Sequence, residues 1–445
     1  MAVWSRPAVL DTGEHKERFR RTQELGRERQ QMHALFRGKG LGIGLALALV
    51  VMCTLGVYVT YTAFTAKHPG SNDFYSRWVG GCALLREGVN PYSETATLRI
   101  QEGMYGRPAL PDEDQAAFAY PLYSLLFFFP LCLLDNYGLA QAVWLWVLLV
   151  ALVAAVILWM QTIHWHPRLW LRALTMLWVV LMYHSFRALI LGQFSVLVLL
   201  ALVAALWAMQ RGHDGWAGVL LALTTIKPQM VYLAIPWLLL WAAGKRRWRI
   251  WAGFGATLAG LVIGSMILLP SWLPDFVRQA TAYPSYTVYG SLAWMIVQHW
   301  LGLGQVIETV VLVGLALGLL ALGWRLWRGS WQQMLWMLGL LLLCTNFFTP
   351  RIATTNYLLL VPWVLLGFCW MQAKWESRGT WVIVTTEVVS LVALWVLFLT
   401  TVKGDFEQAP LYYPFPAAVL LLLAWQWRSL GTRLEPERAS FEPGR

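Results

Sequence analysis

Six polar side chains stand where long apolar runs of this chain begin, break or end. They are Asp73 in "SNDF", Arg187 and Gln193 in "HSFRALILGQ", Lys227 in "TTIKPQ", and Arg351 and Asn356 in "TPRIATTN". Polar and ionisable groups are expensive at membrane depth, so each is a candidate for function. A carboxylate can take the proton of an attacking hydroxyl. Lysine can hold a phosphate as a point charge, and arginine can hold it with a planar fork. The set points to an anionic substrate beside a general base. Asp73 is the candidate base. Lys227, Arg187 and Arg351 are the candidate phosphate-binding cations, and Gln193 and Asn356 are candidate polar substrate contacts.

Each residue also has a plainer reading. Asn72 or Asp73 fits the N-cap of a helix over "FYSRWVGGCALLREG". The three cations fit side chains that snorkel to headgroups, and Gln193 fits a helix start. The Lys227-Pro228 pair is more distinctive, because it interrupts an apolar stretch. Proline removes a backbone donor and disfavours helix at the residue before it, and a broken helix turns its ends toward a cavity. His184 lies near the same face, but no HxxE or HExxH pattern accompanies it. A built-in metal site is weakly supported, and a divalent cofactor stays open. The five cysteines, Cys53, Cys82, Cys132, Cys344 and Cys369, form no CxxC pair and read as packing residues rather than a disulfide framework.

The elements that must position these residues are apolar helices. The chain is 58% hydrophobic and 13% charged, about half the charge of an ordinary soluble domain. Apolar runs of about 20 residues recur from Leu41 to Trp425, the length that crosses a bilayer as helix. They are continuous rather than alternating, which argues against a β-barrel. The expected fold is an all-α polytopic membrane protein of about twelve spans. Its parts are a basic cytoplasmic arm at 1–40, a transmembrane domain at 41–427 and a cytoplasmic tail at 428–445. The segment 64–136 is a first outer loop, in which "YPLYSLLFFFPLCLL" (120–134) is a helix along or dipping into the outer leaflet. Both termini are expected inside. Most of the 34 Lys and Arg then fall on the inner side, as the positive-inside rule requires. The same distribution accounts for the net charge of +11 without nucleic acid.

Four stretches, in order, resemble glycosyltransferase family 87. "NDFYSRWVGGCALLREGVNPY" is similar to the family's first outer loop, an Asp-Phe/Tyr pair followed by "ALL-x-x-G-x-x-PY". "FAYPLYSLLFFFPLCLL" resembles its "YPPL…PL" helix, with Leu122 where a second Pro is common. "LGQFSVLV…LALTTIKPQ" resembles its "GQ-x-N…KP" block, with Phe194-Ser195 departing from the usual pairing, and "TPRIATTNYLLLVPW" resembles the later "SP…Y…LLP" block. The resemblance covers roughly 41–370. It implies a GT-C-like bundle in the cell membrane with an outer-face active site. It further implies a polyprenyl-phosphate sugar donor carrying mannose or another hexose, inversion at the anomeric carbon, and a lipid or glycan acceptor. Asp73 matches the family's base. Tyr92 and Tyr120, in the "PY" and "YP" motifs, join the substrate-binding candidates. Some members carry a histidine in the late block; "RIATTNY" has none. The rival expectation is a transporter or flippase of lipid-linked sugars, which predicts broken helices in two related halves.

Overall fold

A computed structural model describes residues 44–431 except 45, 69, 71, 112, 283–289, 405 and 406. The arm expected at 1–40 lies outside the described residues, as does the tail from 432 onward. The chain forms two compact units, Met1–Phe64 and Thr65–Arg445. In the first, the described residues form an apolar helix, α1 (Ala46–Thr65), whose last residue opens the second unit.

The second unit is helical, and no strand occurs among its described residues. It opens with α2 (Asn72–Glu87) and α3 (Glu94–Tyr105). Ser93 caps the start of α3 by accepting from the Ala96 N–H, and Gly106 ends it in the left-handed conformation at φ 70°. After a loop and the segment 121–134 come α4 (Tyr137–Thr162), α5 (Leu169–Leu181), α6 (Tyr183–Ile190), α7 (Ser195–Gln210) and α8 (Asp214–Leu223). The helices α9 (Ala234–Gly244), α10 (Trp248–Leu268), α11 (Trp272–Ala282) and α12 (Gln305–Leu326) follow. The last three are α13 (Trp331–Phe348), α14 (Val361–Thr401) and α15 (Pro414–Gly431).

Five described helices are long and apolar enough to cross a membrane, six if the pair α5–α6, bent by 57°, counts as one span. That is fewer than the twelve-span expectation, because α7, α8 and α9 are short and the chain breaks between them. The helical stretch Thr354–Thr401 counts once by length but is not straight. Glu376 takes a non-helical conformation (φ 47°, ψ −116°), and a Cβ on Gly379 would meet the Met371 carbonyl at 2.3 Å. Eight residues of straight helix advance about 12 Å, so the chain reverses there.

Two sequence expectations are corrected. The segment 120–134 is not one helix: it is two 3₁₀ pieces, Leu122–Phe127 and Phe129–Leu133, with Pro121 before the first and Pro130 inside the second. It packs inward onto α2. A Cβ on Gly81 would lie 2.3 Å from Leu125 Cδ2 and 2.9 Å from the Phe128 ring, and one on Gly80 would lie 3.1 Å from Phe118. Gly81 is therefore a seat for this strap, and Gly80 a seat for Phe118 just before it. That approach brings Cys82 and Cys132 together as a disulfide, with Cα atoms 5.2 Å apart. They are not mere packing residues. Their pairing depends on a fold contact across 50 residues, which spacing does not display.

The helices α8 and α10 pack closely through glycines. Gly218 meets the Ile250 carbonyl, and Gly253 meets the Gly215 carbonyl, at 2.2 and 2.3 Å from where a Cβ would stand. Gly218→Val should lower stability by at least about 1–3 kcal/mol, read as a fall in the thermal unfolding midpoint of purified protein. Gly255→Ala, which meets open space, should leave that midpoint unchanged or higher. Equal midpoints in the two variants would refute the glycine contact as the reason for the close approach.

Candidate active site

Four of the sequence candidates meet in one hydrogen-bonded line. Gln193 Nε2 donates to Asp73 Oδ2 at 2.6 Å, and Gln193 Oε1 accepts from Lys227 Nζ at 2.8 Å. Lys227 Nζ also donates to Asn356 Oδ1 at 2.9 Å. Lys227, Gln193 and Asn356 are buried, while the Asp73 side chain is 36% exposed. The line thus has a buried cationic end and an accessible carboxylate end.

Local structure explains each placement. Asp73 stands in the first turn of α2, where the helix dipole favours a carboxylate. Gly192 makes the α6–α7 turn at φ 68°, and a Cβ there would strike Phe74 at 2.5 Å. Only glycine fits a left-handed turn so close to α2, and the turn delivers Gln193. Pro228 splits the chain between α8 and α9 into two short 3₁₀ turns, Thr224–Ile226 and Pro228–Met230, with Lys227 between them. Asn356 rides on a third 3₁₀ stretch, Thr354–Leu360.

Arg77 was not among the sequence candidates. Its position four residues after Asp73 on one helix was the signal available. It is fully buried and lies between the rings of Tyr120 and Phe194, at 4.1 and 4.6 Å from their centroids. It donates to the Gly192 carbonyl at 2.9 Å and to the Tyr120 hydroxyl at 2.5 Å, and stands 3.9 Å from Asp73 Oδ1. Tyr120 therefore borders the site. Tyr92 does not: it is buried, and its hydroxyl donates to the Tyr120 carbonyl at 2.6 Å.

Arg187 is held elsewhere. Its Nε pairs with Glu407 at 2.8 Å, and the same carboxylate accepts from Tyr183 (2.7 Å), Tyr412 (2.8 Å) and Thr354. Thr354 starts the stretch that carries Asn356, so this hub steadies the site from behind. Glu407 left no mark in the sequence beyond lying in a loop. Arg351 lies within electrostatic reach of Asp114 and Tyr412. His184 is buried among the rings of Tyr183, Tyr357 and Phe415, and neither ring nitrogen is hydrogen-bonded among the described residues. Among the described residues no group of three or more His, Cys, Asp or Glu is placed to hold a metal ion.

A buried ammonium held by two neutral amide oxygens, with a carboxylate one side chain away, is suited to receiving an anion and a proton donor side by side. The sequence model of glycosyltransferase family 87 matches residues 118–350, more than half of the chain. The chain belongs to glycosyltransferase family 87. No curated protein matches it significantly. The family 87 match includes Tyr120, Arg187, Gln193 and Lys227. It is narrower than the resemblance over 41–370, and Asp73, Arg351 and Asn356 fall outside it. Asp73 therefore joins the family 87 region through geometry: its contact with Gln193.

Arg187→Ala should leave the Glu407 carboxylate buried without its cation, a loss of about 3–5 kcal/mol, read as a lower unfolding midpoint. Adding Glu407→Gln should recover part of it. An unchanged midpoint in Arg187→Ala would mean the pair does not bind Arg187 in place.

Proposed function

We propose that this glycosyltransferase is an inverting hexosyltransferase. It moves a mannose-like hexose from a polyprenyl-phosphate donor to a hydroxyl of a lipid or glycan acceptor, on the outer face of the cell membrane. The observation that carries the reading is the charge balance of the site. Lys227 and Arg77 are both buried, and among the described residues Asp73 is the single carboxylate in contact with their network. An excess of buried positive charge is costly until an anion arrives. A donor phosphate supplies one, and its prenyl tail suits an apolar bundle.

In this reading the acceptor hydroxyl enters at Asp73, which takes its proton. The acceptor oxygen attacks the anomeric carbon, and the bond from that carbon to the phosphate oxygen breaks. The polyprenyl phosphate leaves with the bonding electrons, and its growing charge is met by Lys227. One displacement inverts the anomeric centre. Asn356 and Gln193 orient Lys227, Tyr120 borders the sugar, and Tyr92 and Arg187 act through Tyr120 and Glu407.

The Cys82–Cys132 disulfide supports the outer face, because such bonds persist in oxidising compartments. Membership of family 87 weighs against the flippase alternative.

Transfer from radiolabelled polyprenyl-phosphate-mannose in proteoliposomes should fall by about 10²–10⁴-fold in Asp73→Asn. Undiminished transfer by that variant would remove Asp73 as base. For sidedness, a variant lacking Cys53, Cys344 and Cys369 should react in intact cells with an impermeant maleimide only after an impermeant reductant. Labelling that requires permeabilisation would place the loop on the inner face.

A further inference from the structure

The acidic run "PDEDQ" (111–115) has no part in the chemistry above. Its loop is strongly braced. Arg107 makes two hydrogen bonds to Glu113, at 2.8 and 2.7 Å, and Glu113 also accepts from the Leu110 N–H at 2.8 Å. These hold the Glu113 carboxyl down at about 2. The buried Gln101 donates to the Gln115 carbonyl and accepts from the Ala109 N–H, both at 3.0 Å. Glu113 is thus the loop's fastener.

Asp114 is different. Its backbone is fixed: the Tyr105 hydroxyl donates to its carbonyl at 2.9 Å. One carboxylate oxygen, Oδ1, accepts from the Ala116 N–H at 3.0 Å, and Ala116 sits at φ 51°. The other oxygen has no hydrogen bond among the described residues. Position follows from α3. A Cβ on Gly103 would overlap the Tyr75 hydroxyl, so this part of α3 lies on the first turns of α2, and Tyr105 two residues on holds Asp114 there. Asp114 accordingly acts electrostatically on Tyr120 and is acted on by both Asp73 and Arg351. Burial holds its carboxyl above the usual range, against the pull of the Ala116 N–H and Arg351.

We infer that Asp114 is the acceptor-orienting residue, whose open carboxylate oxygen receives hydroxyl hydrogen bonds from the acceptor sugar beside the hydroxyl that attacks. The inference rests on the donor reading above for the direction of the site. The line runs from Lys227 through Gln193 to Asp73, and Asp114 extends it on the carboxylate side. Two neighbouring carboxylates repel a phosphate but accept hydrogen bonds from neutral hydroxyls. The donor phosphate therefore belongs at the Lys227 end and a polyhydroxylated acceptor at the Asp114 end.

The test has two arms, on the full chain in lipid nanodiscs. Transfer from polyprenyl-phosphate-mannose to octyl mannoside, glucoside and galactoside is measured for wild type and Asp114→Asn. Acceptor KM should rise by at least about tenfold, with donor KM within about twofold and hydrolysis of the donor by water retained. Equal acceptor KM, or a fall in kcat alone, overturns the assignment. The second arm titrates the same octyl glycosides without donor. Binding should be present in wild type and in Asp73→Asn and lost in Asp114→Asn. Absence of binding to wild type, or binding indifferent to Asp114, overturns it. If no donor is used yet binding still requires Asp114, the donor reading fails and the Asp114 assignment stands.

Discussion

The Lys227 ammonium is buried among apolar helices and, among the described residues, touches no carboxylate. Its two hydrogen-bond acceptors are the amide oxygens of Gln193 and Asn356. A direct Asp–Lys pair would satisfy both charges and leave the pocket electrically closed. An interposed glutamine holds the two groups in register without letting them neutralise each other directly. The rest of the unit is arranged to make this possible. The Lys-Pro break removes regular helix where the lysine must turn inward, Gly192 permits the turn that presents Gln193, and a 3₁₀ stretch presents Asn356.

The accessible end of the line depends on a second construction. The strap 121–134 covers one face of α2, while Phe74 stacks on Trp144 and Tyr75 meets α3. Gly81 lacks the side chain that would keep the strap away, and the disulfide, Trp78 and Arg86 fasten it. Arg77 ties this module to the helical bundle, because one guanidinium reaches both the Gly192 carbonyl and Tyr120 while lying between two rings. The α2 module thereby shares one residue with the turn that carries Gln193. A carboxylate on a loop helix and a cation in a helix break are held as one unit.

Much of this was legible beforehand, for identifiable reasons. Lys227, Gln193, Asn356 and Asp73 stood out because polar groups are rare in apolar sequence and costly there. Tyr92 was named through a motif and proved to support Tyr120 rather than to border the site. Arg77 was passed over because a cation in a polar loop looks ordinary; its burial comes from the Tyr120 and Phe194 rings, which lie 43 and more residues away. Arg187 looked like a phosphate ligand because nothing local signals Glu407, 220 residues downstream.

By itself, the sequence determined the helical class, the approximate limits of α4, α10, α12 and α13, and the residues able to do chemistry. Composition and hydrophobic run length are local properties, and local properties decide whether a stretch can be a membrane helix. The tertiary structure alone decided which polar groups meet, that Cys82 and Cys132 pair, and that 120–134 collapses into two short turns on α2. It also decided that Arg187 pairs with Glu407. Those outcomes depend on contacts between distant residues, where a glycine's missing side chain or a proline's missing donor matters only through what packs against it.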